Sequence, residues 1–178
     1  MSKRSALALA VLAVATLTPV GRAGAAPNPA ADHCVQHVVG QRPSGELVVG
    51  PLRCYTTFRE AMRAEGVSAW GPGASSRAAA MAGTSGSTAL LSFTLATHYD
   101  LTSFNPAGGS TSTVGTGCTG GWINTSAAWS NRISSTANGC GTVRHFDGAN
   151  LTGSSQDTTG IGGNLSALNH KAESIQYL

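Results

Sequence analysis

His98-Tyr99-Asp100, with Phe104 following, returns 47 residues later as His145-Phe146-Asp147, with Leu151 and Gly153 following. Each copy is closed downstream by a serine-ended run, Ser130-Asn131-Arg132-Ile133-Ser134-Ser135 in the first and Asn169-His170-Lys171-Ala172-Glu173-Ser174 in the second. A repeat of this length is one supersecondary unit that cannot bury its apolar face alone. Two of them stacked make a domain, so the C-terminal half predicts a mainly β sandwich of two units over 89–178.

The local pattern around each copy is that of strands. Leu91, Phe93, Leu95 and Thr97 share one face of a strand over 90–100, and Tyr99 continues it. His98 and Asp100 take the opposite face, which reads as the solvent side. A second strand is expected over 141–147, with Phe146 facing opposite to His145 and Asp147. Gly-rich stretches at 106–110 and 160–163 interrupt the sheets, and 174–178 predicts a closing strand with Ile175 and Tyr177 on one side.

Upstream, residues 26–66 read as a small α/β segment. Val35, Val38 and Val39 form one β-branched stretch and Glu46-Leu47-Val48-Val49 another, with Pro43-Ser44-Gly45 as the turn between them. Thr57-Phe58-Arg59-Glu60 is a capping box: the threonine oxygen caps a helix whose third residue, glutamate, reaches back. That helix is expected from about Phe58 to Glu65, stopped by Gly66. It is too short to stand alone in water and is expected to pack on the hairpin. Residues 67–88 are Gly, Ala and Ser with Pro72 and read as a linker. Trp70 is its one large apolar anchor.

The first 25 residues read as a secretory leader. Lys3 and Arg4 precede an apolar run from Ala6 to Leu17, too short to span a membrane, and Ala23-Gly24-Ala25 offers the small residues of a cleavage site. The formal charge of +3 is a property of the leader. Three of the 11 Lys and Arg (Lys3, Arg4, Arg22) fall in it, and the remaining eight face eight Asp and Glu. A neutral mature chain with no basic cluster argues against nucleic-acid binding and against a cationic membrane-active role. A soluble, secreted, monomeric protein is expected.

Four cysteines on an exported chain read as two disulfides. Three pairings are open. Spacing favours Cys34–Cys54 and Cys118–Cys140, because each pair lies within its own segment. The alternative, a zinc site, lacks any Cys-x-x-Cys.

These residues resemble the βγ-crystallin Greek-key family, whose unit carries an aromatic, a second aromatic or apolar residue five positions on, then x-Gly, and closes on a serine-ended stretch. Tyr99…Phe104 has that spacing with Pro106 in place of Gly; Phe146…Leu151-Thr152-Gly153 keeps the Gly. Ser130–Ser135 matches at Asn131, Ser134 and Ser135, and 169–174 at Asn169 and Ser174. Serine suits this position because its hydroxyl can tie down a folded hairpin. With the leader and the four cysteines, the chain looks more narrowly like the secreted bacterial proteins grouped as peptidase inhibitor family I36. That resemblance implies two Greek-key units in a sandwich and inhibition of extracellular metalloproteases by a rigid loop. Gly117, Cys118, Thr119, Trp122 and Ile123 are the candidates for such a loop, braced by Cys118–Cys140, with core positions for Trp122 and Trp129 as the competing reading.

The resemblance also raises calcium. Ca²⁺ takes six to eight hard oxygen ligands, and Asn131, Ser134, Ser135, Asn169 and Ser174 are the weak candidates. Arg132 and Lys171 sit in the same loops and oppose a cation, so weak or lost binding is expected. His98 and Asp100 share a strand face and invite a metal or catalytic reading, yet no Gly-x-Ser-x-Gly or His-Glu-x-x-His accompanies them. The sequence therefore reads as a non-enzymatic protein without a cofactor: a protease inhibitor, or else an extracellular structural or ligand-binding module.

Overall fold

The computed structural model describes residues 32–64 and 92–178. The leader over 1–25, the linker over 67–88 with Trp70, the helix stop at Glu65 and Gly66, and Leu90 and Leu91 lie outside the described residues. In chain order the elements are β1 (His33–Gln41), β2 (Leu47–Val49), β3 (Arg53–Tyr55) and α1 (Phe58–Ala64). The first copy of the repeat follows as β4 (Phe93–Tyr99), β5 (Ser110–Gly115), β6 (Trp122–Asn124) and β7 (Ser135–Asn138). The second is β8 (Thr142–Gly148), β9 (Thr152–Thr159), β10 (Gly162–Asn164) and β11 (Ser174–Tyr177).

Both copies fold alike. In each, the first strand sits between the fourth and the second, and the third crosses to the other sheet. One sheet runs β10-β7-β4-β5-β1-β2, with β3 also paired to β1; the other runs β6-β11-β8-β9. The exchange of β6 and β10 means that neither sheet is complete without the other unit. The Gly-rich stretch over 160–163 was expected to interrupt the sheets; instead Gly162 and Gly163 form β10. There Gly162, at a φ of +111°, lies so close to β7 that a Cβ would overlap the Thr136 carbonyl.

The small α/β segment expected over 26–66 is part of the larger sheet. β1 runs parallel to β5, His33 to His37 beside Ser110 to Val114, and so widens the sheet of the first unit. The hairpin with β2, the turn at 43–45 and the Cys34–Cys54 staple between β1 and β3 are as expected. The capping box also forms: the Thr57 N–H donates to Glu60 Oε2 at 3.1 Å, and the Glu60 N–H to Thr57 Oγ1 at 3.2 Å.

A parallel neighbour and a covering helix change which faces are buried. β5 is buried along its whole length and β4 over its last five residues. Between the two sheets lies the main core, which includes Leu95, Trp129, Ile133, Val143, Ile175 and Tyr177. On the outer face of the larger sheet, Ala61 and Met62 of α1 cover Val35 and Val114, with Tyr55 and Phe58 alongside. Each large apolar side chain fully buried in this way contributes roughly 1.5–3 kcal/mol.

This two-sided burial corrects the strand faces. A register shift between Thr94 and Ala96 brings both Leu95 and Ala96 into the main core. Beyond it Tyr99 faces α1, its ring 6.2 Å from that of Phe58, and His98 faces the second sheet, where His145 meets it. His98 is 1% exposed and His145 0%, so neither is on a solvent face. In β8 it is Val143 and His145 that point inward, while Phe146 is only half-buried. The alternation was legible; its sense was inverted, because the imidazoles find a partner inside. Ile175 and Tyr177 share the inner side of β11 as expected.

Candidate functional site

The turn after the first strand of each copy carries strained backbone. Ser103 and Phe104 have φ of 59° and 57°, and Asn150 and Leu151 have 57° and 60°. Non-glycine residues pay about 1–3 kcal/mol each for such conformations unless the surroundings hold them. The closing serines hold them. Ser135 Oγ accepts the Phe104 N–H at 3.0 Å and donates to the Leu101 carbonyl at 2.7 Å. Ser174 Oγ accepts the Leu151 N–H at 3.0 Å and donates to the Gly148 carbonyl at 2.6 Å. Both serines are fully buried. Replacing Ser135 or Ser174 by alanine strands two backbone groups and is expected to cost about 1–3 kcal/mol each, read as a lower urea midpoint at unchanged slope.

The two units also lock each other. The Asn131 N–H donates to the Ala172 carbonyl at 3.0 Å, and the His170 N–H to the Ile133 carbonyl at 3.0 Å. Asn131 and His170 occupy equivalent places and share a left-handed backbone, φ 58° and 56°. Asn164 Oδ1 accepts the Ser103 N–H, and Asn124 Oδ1 accepts the Asn150 N–H. The third-strand asparagine of each unit is thus tied to the first hairpin of the other by matching bonds, and a pseudo-twofold axis relates the copies. It passes between His98 and His145, which are equivalent residues in mutual contact.

Two Greek-key units, interlocked about a pseudo-twofold, are what the strand order and these matched bonds describe. The fold is βγ-crystallin-like. No protein-family model matches the chain, and no curated protein does. Among solved structures it is similar to the N-terminal domain of protein S, at 19% identity and a TM-score of 0.37, covering 47% of this chain and 93% of that one.

At the axis the histidines form a T-shaped pair, with ring centroids 5.4 Å apart and planes at 88°. Thr136 of β7 lies between them: its Oγ1 is 2.9 Å from His98 Nδ1 and 2.9 Å from His145 Nε2. The other two ring nitrogens, His98 Nε2 and His145 Nδ1, make no hydrogen bond among the described residues. Burial holds both rings neutral. It pushes His98 well below the usual imidazole value, with the neighbouring His145 adding to the effect. Burial takes His145 down to about 4, against the opposing pull of backbone groups of Gln156 and Val143 and of the Asp157 carboxylate. The place of Thr136 is taken in the second unit by apolar Ile175, so the site is asymmetric where the fold is not.

Asp100 does not join His98. Its carboxylate accepts from Arg132 at 2.9 Å, and the Arg132 guanidinium lies 4.6 Å over the Trp129 ring. His170 Nε2 stands 3.1 Å from the Asp100 carbonyl. Among the calcium candidates, Ser134 Oγ donates to the Asp100 carbonyl at 2.6 Å, and Ser135 and Ser174 serve the hairpins as described. Asn131 donates to Glu173 Oε1 at 3.0 Å, and Asn169 is exposed. The hydroxyl hydrogens of Ser134, Ser135 and Ser174 and an amide hydrogen of Asn131 are committed to the chain, and Arg132 engages the Asp100 carboxylate. Among the described residues no three His, Cys, Asp or Glu side chains gather as metal ligands.

The inhibitory-loop candidates separate into two groups. Cys118 and Cys140 are bonded, and the segment around them is pinned: the Gly120 N–H donates to the Tyr177 carbonyl at 2.8 Å, and the Gln176 amide to the Gly120 carbonyl at 3.2 Å. Gly117 is half-buried and Thr119 exposed. Trp122 and Ile123, in contrast, are not loop residues. They form β6; Ile123 is 3% exposed in the core. Trp122 is clamped under the β1–β2 turn, its backbone N–H on the Gly45 carbonyl and its indole N–H on that of Ser44, at 3.2 and 3.3 Å. Sequence reasoning missed the His98–Thr136–His145 bridge. Its signal was the repeat of His itself at a strand position whose facing unit places the second copy opposite.

Proposed function

We propose that the protein is an exported, monomeric, non-catalytic extracellular module that acts as a durable, rigid β sandwich and carries no cofactor. The observation that supports this best is where the repeat spends its chemistry. His98 and His145, Ser135 and Ser174 are all turned into internal bonds that hold hairpins and sheets together. A catalytic site needs its nucleophile, base and oxyanion donors around a space a substrate can enter, and these groups face one another instead. Two disulfides suit an oxidising compartment, and no helix among the described residues is long and apolar enough to cross a membrane.

A second reading, inhibition of an extracellular metalloprotease, is favoured by one observation. The segment 116–121 is braced by Cys118–Cys140 and by its bonds to β11, so its shape is set before binding and little ordering entropy is lost on contact. Its exposed residues are Thr116 and Thr119, without the bulky apolar anchor that Trp122 or Ile123 would have supplied. Titration of the oxidised protein against a thermolysin-type and a subtilisin-type protease separates the two readings. The module reading predicts no inhibition of either at tens of micromolar and an intact chain afterwards. Stoichiometric, submicromolar inhibition that is lost on Thr119→Asp would replace it with the inhibitor reading.

A further inference from the structure

We infer that the His98–Thr136–His145 bridge is an acid-sensitive clamp between the two Greek-key units, closing the sheets when its rings are neutral and loosening them when they take up protons. The bridge spans the sandwich: His98 and Thr136 belong to one sheet and His145 to the other. It sits at the centre of the interface, on the pseudo-twofold, with both rings at most 1% exposed.

Thr136 has one hydroxyl proton, so while both rings are neutral it donates to one ring nitrogen and accepts from the N–H of the other, and the bridge leaves one lone pair, on His98 Nε2 or on His145 Nδ1. Thr136 holds His98 Nδ1 from the β7 side, so His98 Nε2 looks the other way, towards β5 and β1. A cavity of about 10 Å³ lies there, lined by His98, Gln36, Thr111, Thr113, Ile123 and Trp129 among others. That is about the space one water centre needs.

Protonation of His145 makes donors of both its nitrogens, so Nε2 can no longer accept from Thr136, and puts a cation in the core. Protonation of His98, which burial and the neighbouring His145 disfavour further, would set two like charges 5.4 Å apart. Little nearby offsets them. From β5 and β1 the facing groups are Thr111 and Gln36, from β11 Ile175, and from β7 Thr136, all uncharged. Tyr177, on Thr113 at 2.9 Å, is kept neutral by burial. Asp157 on β9 is, among the described residues, the carboxylate acting on His145, and it is engaged by Arg144 at 2.7 and 2.9 Å.

Because both rings favour the neutral form when folded, the unfolded chain binds more protons below its own imidazole pKa near 6.5. The stabilisation is therefore whole above about pH 6.5 and lost as pH falls from there towards 4, where His145 titrates. Each proton shifts the unfolding equilibrium by about tenfold per pH unit, on the order of 100-fold for His145 alone between pH 6.5 and 4.5.

The test is urea unfolding of the oxidised protein at steps from pH 7.5 to 4, for the wild type, His98→Gln, His145→Gln and the double variant. It is paired with imidazole ¹⁵N spectra of the wild type. The expected result is a wild-type midpoint that falls steeply below pH 6.5, a shallower fall in each single variant and the shallowest in the double variant. Both wild-type rings are expected to stay neutral until unfolding begins. A wild-type midpoint flat to pH 4, a fall of equal steepness in the double variant, or rings charged at pH 7 would overturn the inference. The ring spectra decide the matter even where the glutamine variants do not fold.

Discussion

Tyr99→Ala is expected to destabilise the protein by about 3–5 kcal/mol, whereas the same truncation at its repeat partner, Phe146→Ala, is expected to cost less than half as much. Tyr99 is 2% exposed. Its ring meets Phe58 of α1 at 6.2 Å on one side and Phe104 of its own hairpin at 6.2 Å on another. Alanine there opens a cavity beneath a helix too short to move as a unit, so the site cannot collapse to fill it. Phe146 faces outward from the smaller sheet and is half-buried, so most of the surface it would lose is already wet. For a domain of this size 3–5 kcal/mol lowers the melting midpoint by on the order of 10–20 °C. Equal melting of the two variants would mean that α1 does not cover the larger sheet.

Opening the Cys118–Cys140 bridge, by replacing both cysteines with alanine, is expected to cost about 3 kcal/mol. The bridge closes a stretch with a separation of 22 residues, for which lost loop entropy in the unfolded chain gives about that figure. It ties the segment leading into β6, the crossing strand of the first unit, to the turn that leads into the second unit. The Cys140 N–H also donates to the Leu95 carbonyl at 2.9 Å, and Cys140 is 3% exposed. The loss should therefore appear as a lower midpoint for the whole sandwich rather than as fraying of one end. Peptide mapping without reduction checks the pairing first: a Cys118 peptide linked to Cys34 or Cys54 would contradict it.

The repeat of His-aromatic-Asp, with its serine-ended closures, gave the two units, their first strands and the closing strand of the second, and the capping box gave the start of α1 at Phe58. Within each copy these are local signals, set by residues a few positions apart. What sequence could not show is which side of a strand would be covered. Tyr99 and Phe146 occupy the same place in the repeat, and only the docking of β1 and α1 makes one buried and the other half-exposed. His98 and His145 were read as solvent-facing because imidazole is polar; each is buried because the other unit supplies its equivalent across the axis and Thr136 bonds both. Trp122 and Ile123 read as a loop because they stand beside the Cys118–Cys140 brace and offer the bulky apolar residue that an inhibitory loop needs. Their pairing with β11, and the β1–β2 turn that closes over Trp122, involve residues roughly 50–80 positions away, a range at which spacing carries no signal.

The claim on which the rest depends is that the N-terminal segment is a working strand of the sandwich. Amide hydrogen exchange measures it directly. The parallel pairing of β1 with β5 predicts that Val35, Gln36 and His37 exchange as slowly as Thr111 to Val114 of β5, through global unfolding alone. Exchange of the β1 amides well before those of β5 would show a segment that opens by itself, and would contradict the account.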